Sequence, residues 1–173
     1  MSPAPEHDLP LRSQGFAPVV DANTRVLVLG SLPGVPSLKA AQYYGNPRNA
    51  FWKIIGELIG QPLAGMGYED RLTVIKAHGI GLWDVIASAE RRGSLDTAIR
   101  AEETADLEGL IKTLPALKVI GFNGSTAAKL GRRLLEGRVG TVRLVNLPSS
   151  SPAYASRSYA QKLEDWRPLL DLS

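Results

Sequence analysis

Apolar residues fall in short runs and helical stripes that alternate along the chain. Val26-Leu27-Val28-Leu29 is an unbroken apolar run, the pattern of a parallel strand covered on both faces. Gly30 ends it, and a loop rich in glycine and proline continues through Tyr43, Tyr44, Asn46 and Arg48. Phe51, Ile54, Ile55, Leu58 and Ile59 then recur at helical spacing. They predict a helix from about Asn49 to Gly60, with Asn49 as its N-cap. Gln61 to Gly67 reads as a loop and Glu69 to His78 as a helix. Gly79 to Ile86 reads as a second strand, with Asp84 near its C-terminal end, and Arg91-Arg92-Gly93-Ser94 as a basic turn. Thr104 to Leu114 predicts a helix capped by Thr104 and stopped by Pro115. Leu117 to Phe122 is a third strand, Asn123-Gly124-Ser125 a turn, and Thr126 to Leu135 a helix with Lys129, Arg132 and Arg133 on its wet face. Val142 to Leu147 is a fourth strand, Pro148 to Pro152 a Ser/Pro loop, and Ser156 to Leu170 the last helix.

Strands that alternate with helices predict a parallel sheet covered on both sides by right-handed crossovers. The expectation is an α/β fold, with residues 1–24 as an N-terminal tail and 25–173 as a single domain. No internal repeat, low-complexity segment or linker divides it. Every loop rich in polar groups follows a strand: Ser31 to Asn49, Asp84 to Ser94, Asn123-Gly124, and Ser149 to Tyr154. In a parallel sheet all four gather at the edge where ligands bind. The first is long, and long loops inside compact domains usually serve function.

Composition narrows the chemistry. The 173 residues are 44% hydrophobic and 21% charged, a globular balance. No apolar run approaches the length of a membrane span. The first residues, rich in Pro and charge, do not read as a signal peptide. A soluble, cytoplasmic protein is expected. Cysteine is absent, which excludes a disulfide, a thiolate nucleophile and a cluster held by this chain's thiolates. Two histidines, His7 and His78, are too few for a His-rich metal site. The net charge of +3 and pI of about 9.3 are compatible with nucleic acid without pointing to it.

Gly30-Ser31-Leu32-Pro33-Gly34 after a strand can cradle a phosphate. It lacks the Gly-Lys-Ser/Thr of a P-loop, and no acidic residue lies between Gly30 and Glu57 to hold a ribose. It also reads as a tight turn. Tyr43-Tyr44 and Phe51-Trp52 bracket Asn46, Pro47, Arg48 and Asn49. Rings that stack on a flat heterocycle beside amides that read its edge make a base pocket. Trp52 reads as core, and at least one of Tyr44 and Phe51 as a pocket ring. Asp84 suits a general base or a water-positioning carboxylate, and equally a turn aspartate. Leu147 to Tyr154 is a stiff, small-residue loop that can grip phosphate or enter a groove, or be an ordinary turn.

Taken in order, GSLPG, YYGNPRNAFW, GIGLWDVI followed by RRGSLD, GFNG and LPSSSPA resemble the uracil-DNA glycosylase superfamily, nearest its hypoxanthine-DNA (deoxyinosine) glycosylase branch. The resemblance covers about Arg25 to Trp166. It implies a three-layer α/β/α domain on a short four-stranded parallel sheet. It also implies hydrolysis of the N-glycosidic bond of a base flipped out of DNA, with no metal and no cofactor. Mismatch-specific relatives carry a water-holding Asn at the third position of G-x-N-P-G, where this chain has Leu32. The histidine that several branches place in the Pro-Ser loop is absent; Asn146-Leu147-Pro148 stands there. The asparagine of P-x-N-x-F-W corresponds to Asn49.

The candidate catalytic residues are therefore Asn49, Ser31 and Asp84. Leu32, Tyr44, Phe51 and Asn123 are the candidate base-binding residues. Arg48, Ser149, Ser150, Ser151, Pro152, Tyr154 and Arg157 are candidate DNA contacts, with Arg91 and Arg92 also expected near phosphates. Tyr154 is large enough to fill the hole that an extruded base leaves, and equally reads as core beneath the last helix. The expected activity is excision of deaminated bases, hypoxanthine or uracil, from DNA by a monomer that does not touch a membrane. A non-catalytic nucleic-acid or nucleotide-binding module on the same fold is the alternative. A small-molecule enzyme of Rossmann type would require a bound cofactor.

Overall fold

The computed structural model describes residues 11–91 and 100–172. Strand β1 (Leu11–Gln14) comes first, then β2 (Val26–Gly30), α1 (Val35–Ala40), α2 (Phe51–Ile59) and α3 (Tyr68–Ala77). Strands β3 (Ile80–Asp84), β4 (Ile86–Arg91) and β5 (Arg100–Thr104) follow, then α4 (Leu107–Ile111), β6 (Val119–Asn123), α5 (Ser125–Leu135), β7 (Arg143–Leu147) and α6 (Tyr159–Trp166). Short 3-10 turns cover Leu63–Gly65 and Arg167–Leu170.

The four parallel strands expected from the apolar runs are present, in the order β3-β2-β6-β7. β2 is central and buried along its whole length, which is why it carries no polar alternation. Its side chains divide the core. Leu27 and Leu29 pack with Ile120, Phe122 and residues of α4 and α5, whereas Val26 and Val28 pack with residues of α2, α3 and α6. Those are the three expected layers. The sheet register sets the site: Gly30 lies beside Asp84, and Leu29 beside Phe122, so Gly30, Asp84 and Asn123 end three neighbouring strands at one level.

Helix α2 follows its apolar stripe and ends at Gly60, whose φ of +70° closes the last carbonyls in a conformation that costs glycine little. Its N-cap position belongs to Ala50 rather than Asn49. Asn49 still does capping work, because its Oδ1 accepts from the Phe51 N–H at 3.0 Å.

Three expectations are corrected. The strand over Gly79 to Ile86 breaks at Val85, where the chain leaves the parallel sheet and β4 enters an antiparallel sheet ordered β1-β4-β5. Thr104 is not a helix cap: it pairs with Ile86 at the end of β5. The cap is Asp106, whose carboxylate accepts from the Gly109 N–H at 3.0 Å. The last helix begins only at Tyr159, behind a capping box of Ser158 and Gln161. It tightens at Arg167 into a 3-10 turn, since Pro168 has no N–H to continue the α ladder.

Within the segment 1–24, β1 pairs with β4 and Val19 bridges to Leu82. The Phe16 carbonyl accepts from Trp83 Nε1 at 3.1 Å. The basic turn read at Arg91 to Ser94 lies outside the described residues beyond Arg91, which ends β4. No helix of the described residues is long and apolar enough to cross a membrane.

Candidate active site

The loops after β2, β6 and β7 and the end of β3 surround one cleft of about 1450 Å³. Its floor is the sheet edge. A Cβ on Gly30 would stand 2.7 Å from Asp84 Oδ1 and 3.3 Å from the Tyr44 hydroxyl. Only glycine lets the strand end that close to both groups. Asp84 is 5% exposed, and Ser31 and Leu32 are buried in the same wall of the cleft. Leu32 also belongs to the apolar core, so it presents a dry surface where a polar residue would hold water.

Tyr44 projects from a backbone with φ of +53°, a conformation that costs a non-glycine residue free energy and is usually held for a reason. Its ring lies on that of Phe51, with centroids 4.0 Å apart and planes 23° apart. Burial pushes the Tyr44 hydroxyl pKa up and the Asp84 carboxylate adds to the rise. The Asn123 amide faces the same hydroxyl, short of a formed hydrogen bond, and offsets part of the rise. At physiological pH Tyr44 is therefore a neutral phenol, able to donate. Phe51 is 0% exposed and does not reach the cleft; it backs Tyr44 and meets Trp166 edge-on at 5.9 Å. Trp52 is core, as expected, with Nε1 donating to the Tyr43 carbonyl at 3.1 Å.

Asn49 lines the cleft. The Phe51 N–H is a donor, so the atom facing it must be the amide oxygen. Nδ2 is then the free donor end, with no acceptor among the described residues. Arg48 is exposed beside it, its own N–H donating to Asn46 Oδ1 at 3.0 Å.

Asn123 and Ser150 are joined more closely than the sequence suggests. Asn123 Oδ1 accepts from the Ser150 N–H and Nδ2 donates to the Ser150 Oγ, both at 2.9 Å. The Ser150 carbonyl accepts from the Ala50 N–H at 3.0 Å. Ser150 is 1% exposed. Its groups are spent on tying the Pro-Ser loop to the end of β6 and the start of α2. Asn123 keeps a second N–H and a second lone pair for other partners.

Ser149 and Ser151 each accept from a backbone N–H two residues on, which stiffens the loop. Trp166 Nε1 donates to the Pro148 carbonyl at 2.9 Å. Pro152 and Tyr154 line the cleft, and Tyr154 is 40% exposed. It does not pack as core beneath α6. Arg157 also lines the cleft but pairs with Asp165.

Two basic residues at the cleft lay outside the candidate set. Lys129 and Arg132 face it from α5. Ser125, Lys129 and Arg132 recur at helical spacing just after a strand end, and that recurrence was the available signal. Arg132 is engaged with Asn146 and Glu136. Lys129 and Arg48 have no ion-pair partner among the described residues. No group of three His, Asp or Glu side chains among the described residues is placed to hold a metal.

The model of the Uracil DNA glycosylase superfamily matches residues 17–170. A hypoxanthine DNA glycosylase of Methanosarcina acetivorans is 43% identical over 154 residues, 88% of this chain and 94% of the relative. A hypoxanthine DNA glycosylase of Methanosarcina barkeri is 44% identical over 69% of this chain and 75% of its own length. The solution NMR structure of a candidate uracil DNA glycosylase from Methanosarcina acetivorans superposes with a TM-score of 0.78 at 42% identity. That match covers 92% of this chain and 99% of the other.

Proposed function

Since this chain belongs to the uracil DNA glycosylase superfamily, we propose that its cleft receives a deaminated base flipped out of DNA and hydrolyses the bond to the sugar. The protein is a DNA glycosylase, a hydrolase of N-glycosidic bonds that serves base-excision repair. Its preferred base is hypoxanthine, with uracil second, and it acts inside the cell as a monomer. One observation carries this reading. Every loop that meets at the cleft lies within the 17–170 match, and the two relatives are 43% and 44% identical over 154 and 119 residues.

The chemistry sets what the residues must do. As the bond breaks, negative charge grows on the departing base and positive charge on the sugar. Groups fixed in advance toward those charges lower the barrier most. In this reading Asn49 offers its Nδ2 donor to the attacking water or to the base edge. Asp84, at the floor, orients water and favours the cationic sugar, with Ser31 beside it. Tyr44 stacks on the base, supported from behind by Phe51. Leu32 closes the dry side, and Asn123 uses its remaining amide positions on the base edge.

Arg48 and Lys129 meet phosphates. Ser149, Ser151 and Pro152 form the tip of the loop that lies along the strand, and Tyr154 fills the vacated stack, as apolar wedges do in other DNA-bending proteins. Arg157 contributes through its pairing with Asp165.

A panel of oligonucleotides carrying hypoxanthine, uracil or xanthine opposite each base tests the reading. Release of free hypoxanthine at the highest rate is expected. Failure to release any of the three bases overturns it.

A further inference from the structure

Lys162 takes no part in the site described above, yet it is a cation held 6% exposed on α6. Its Nζ donates to the Ser151 carbonyl at 3.2 Å and lies 5.6 Å from the centre of the Tyr154 ring. No carboxylate among the described residues pairs with it; the nearby Asp165 is taken by Arg157. Burial lowers its pKa. Removing an ammonium from water costs more than one carbonyl returns. A Met, unbranched and only one atom shorter, would fill much of the same space without that cost. Stability therefore does not explain a lysine here, and geometry does.

The Ser151 carbonyl that Lys162 holds also accepts the Tyr154 N–H at 3.0 Å, closing the turn from Ser151 to Tyr154. A cation within about 6 Å of a ring centre attracts that ring. One ammonium thus grips both ends of a single turn, its carbonyl and its aromatic tip. We propose that Lys162 is a positioning residue, which fixes the Ser151–Tyr154 turn and holds the Tyr154 ring poised to enter the duplex.

The inference rests on Tyr154 filling the stack, and the experiment separates the two. Excision is measured on one deoxyinosine oligonucleotide, single-stranded and in duplex, with 2-aminopurine beside the lesion to report unstacking. Lys162→Met should lose on the order of ten-fold on duplex, about 1.4 kcal/mol, and stay within about two-fold on the single strand, where no stack is invaded. The 2-aminopurine signal should fall with it, while the melting temperature holds or rises. Lys162→Arg, which keeps the charge and the donor, should recover most of the loss. In a Tyr154→Ala background Lys162→Met should add nothing.

If Tyr154→Ala leaves duplex activity intact, the wedge reading itself falls. If Tyr154→Ala loses duplex activity and Lys162→Met does not, only this inference is overturned. Equal losses on both substrates, or full additivity with Tyr154→Ala, overturn it as well.

Discussion

Asn49 concentrates the demands of the site in one side chain. Its oxygen holds the first turn of α2 by accepting from Phe51, which leaves Nδ2 free for the proposed role in the reaction. Asn49→Ala removes both. The structural part is small, since losing a capping acceptor costs about 1 kcal/mol. The catalytic part is larger: removing one aimed donor from a charge-stabilising site lowers turnover by roughly ten-fold to a thousand-fold. Turnover should therefore fall at least about ten-fold while the melting curve shifts only a few degrees. Near-normal single-turnover excision by this variant removes Asn49 from the mechanism. The sequence pointed to Asn49 as the N-cap; the structure gives that position to Ala50, and Asn49, one residue before it, still accepts from the Phe51 N–H. The pairing of Asn123 with Ser150 was not legible. The two lie 27 residues apart, and no local pattern marks which polar groups meet across a fold.

At the scale of elements, β2 and β6 were readable because burial leaves a nearly continuous apolar run. The edge strand β7, with Arg143 and Asn146 exposed, showed itself only through Leu144, Val145 and Leu147. β4 and β5 were not readable. Their segments, IASAER and RAEET, mix charge with alanine and carry few β-branched residues, so pairing rather than propensity makes them strands. The Pro-Ser loop shows the opposite case, a turn-like sequence that the structure stiffens with several ties. Tyr154 projects from that stiff base. Its truncation to alanine should cost about ten-fold or more on duplex DNA, where unstacking takes a few kcal/mol, and little on single strands. Because the residue is 40% exposed, the melting temperature should hold. A core residue would instead lose roughly 3–5 kcal/mol of stability and both activities together.

Over the whole molecule, a net charge of +3 says little, but its placement says more. Arg48 and Lys129 stand at the cleft without carboxylate partners among the described residues, whereas Arg132 and Arg157 are already paired. Phosphate contacts release counterions, so affinity should fall steeply with salt, by about 0.9 in the log–log slope for each contact. Arg48→Ala and Lys129→Ala should each make that slope shallower by about that amount. Arg157→Ala should act mainly by freeing Asp165. Affinity indifferent to salt would defeat the DNA-binding reading. The convergence of the loops after β2, β6 and β7 at one edge was legible from the strand-helix alternation. The fourth expected loop, Asp84 to Ser94, brings only Asp84 to the cleft and runs into β4 over Ile86–Arg91. Which cations were already paired was not legible, since that depends on side chains from separate elements.

The threefold tie at Ser150 also predicts how the molecule exchanges hydrogen with solvent. Surface loops normally trade their amide protons within the dead time of an exchange experiment, since nothing shields them. The Ser150 amide is bonded to Asn123, on a residue 1% exposed, and should be as slow as the amides of the central strand. The neighbouring Ala153 and Tyr154 amides, on exposed residues, should exchange far sooner. A slow Ser150 proton beside faster Ala153 and Tyr154 protons would mark Ser150 as the anchor of the loop.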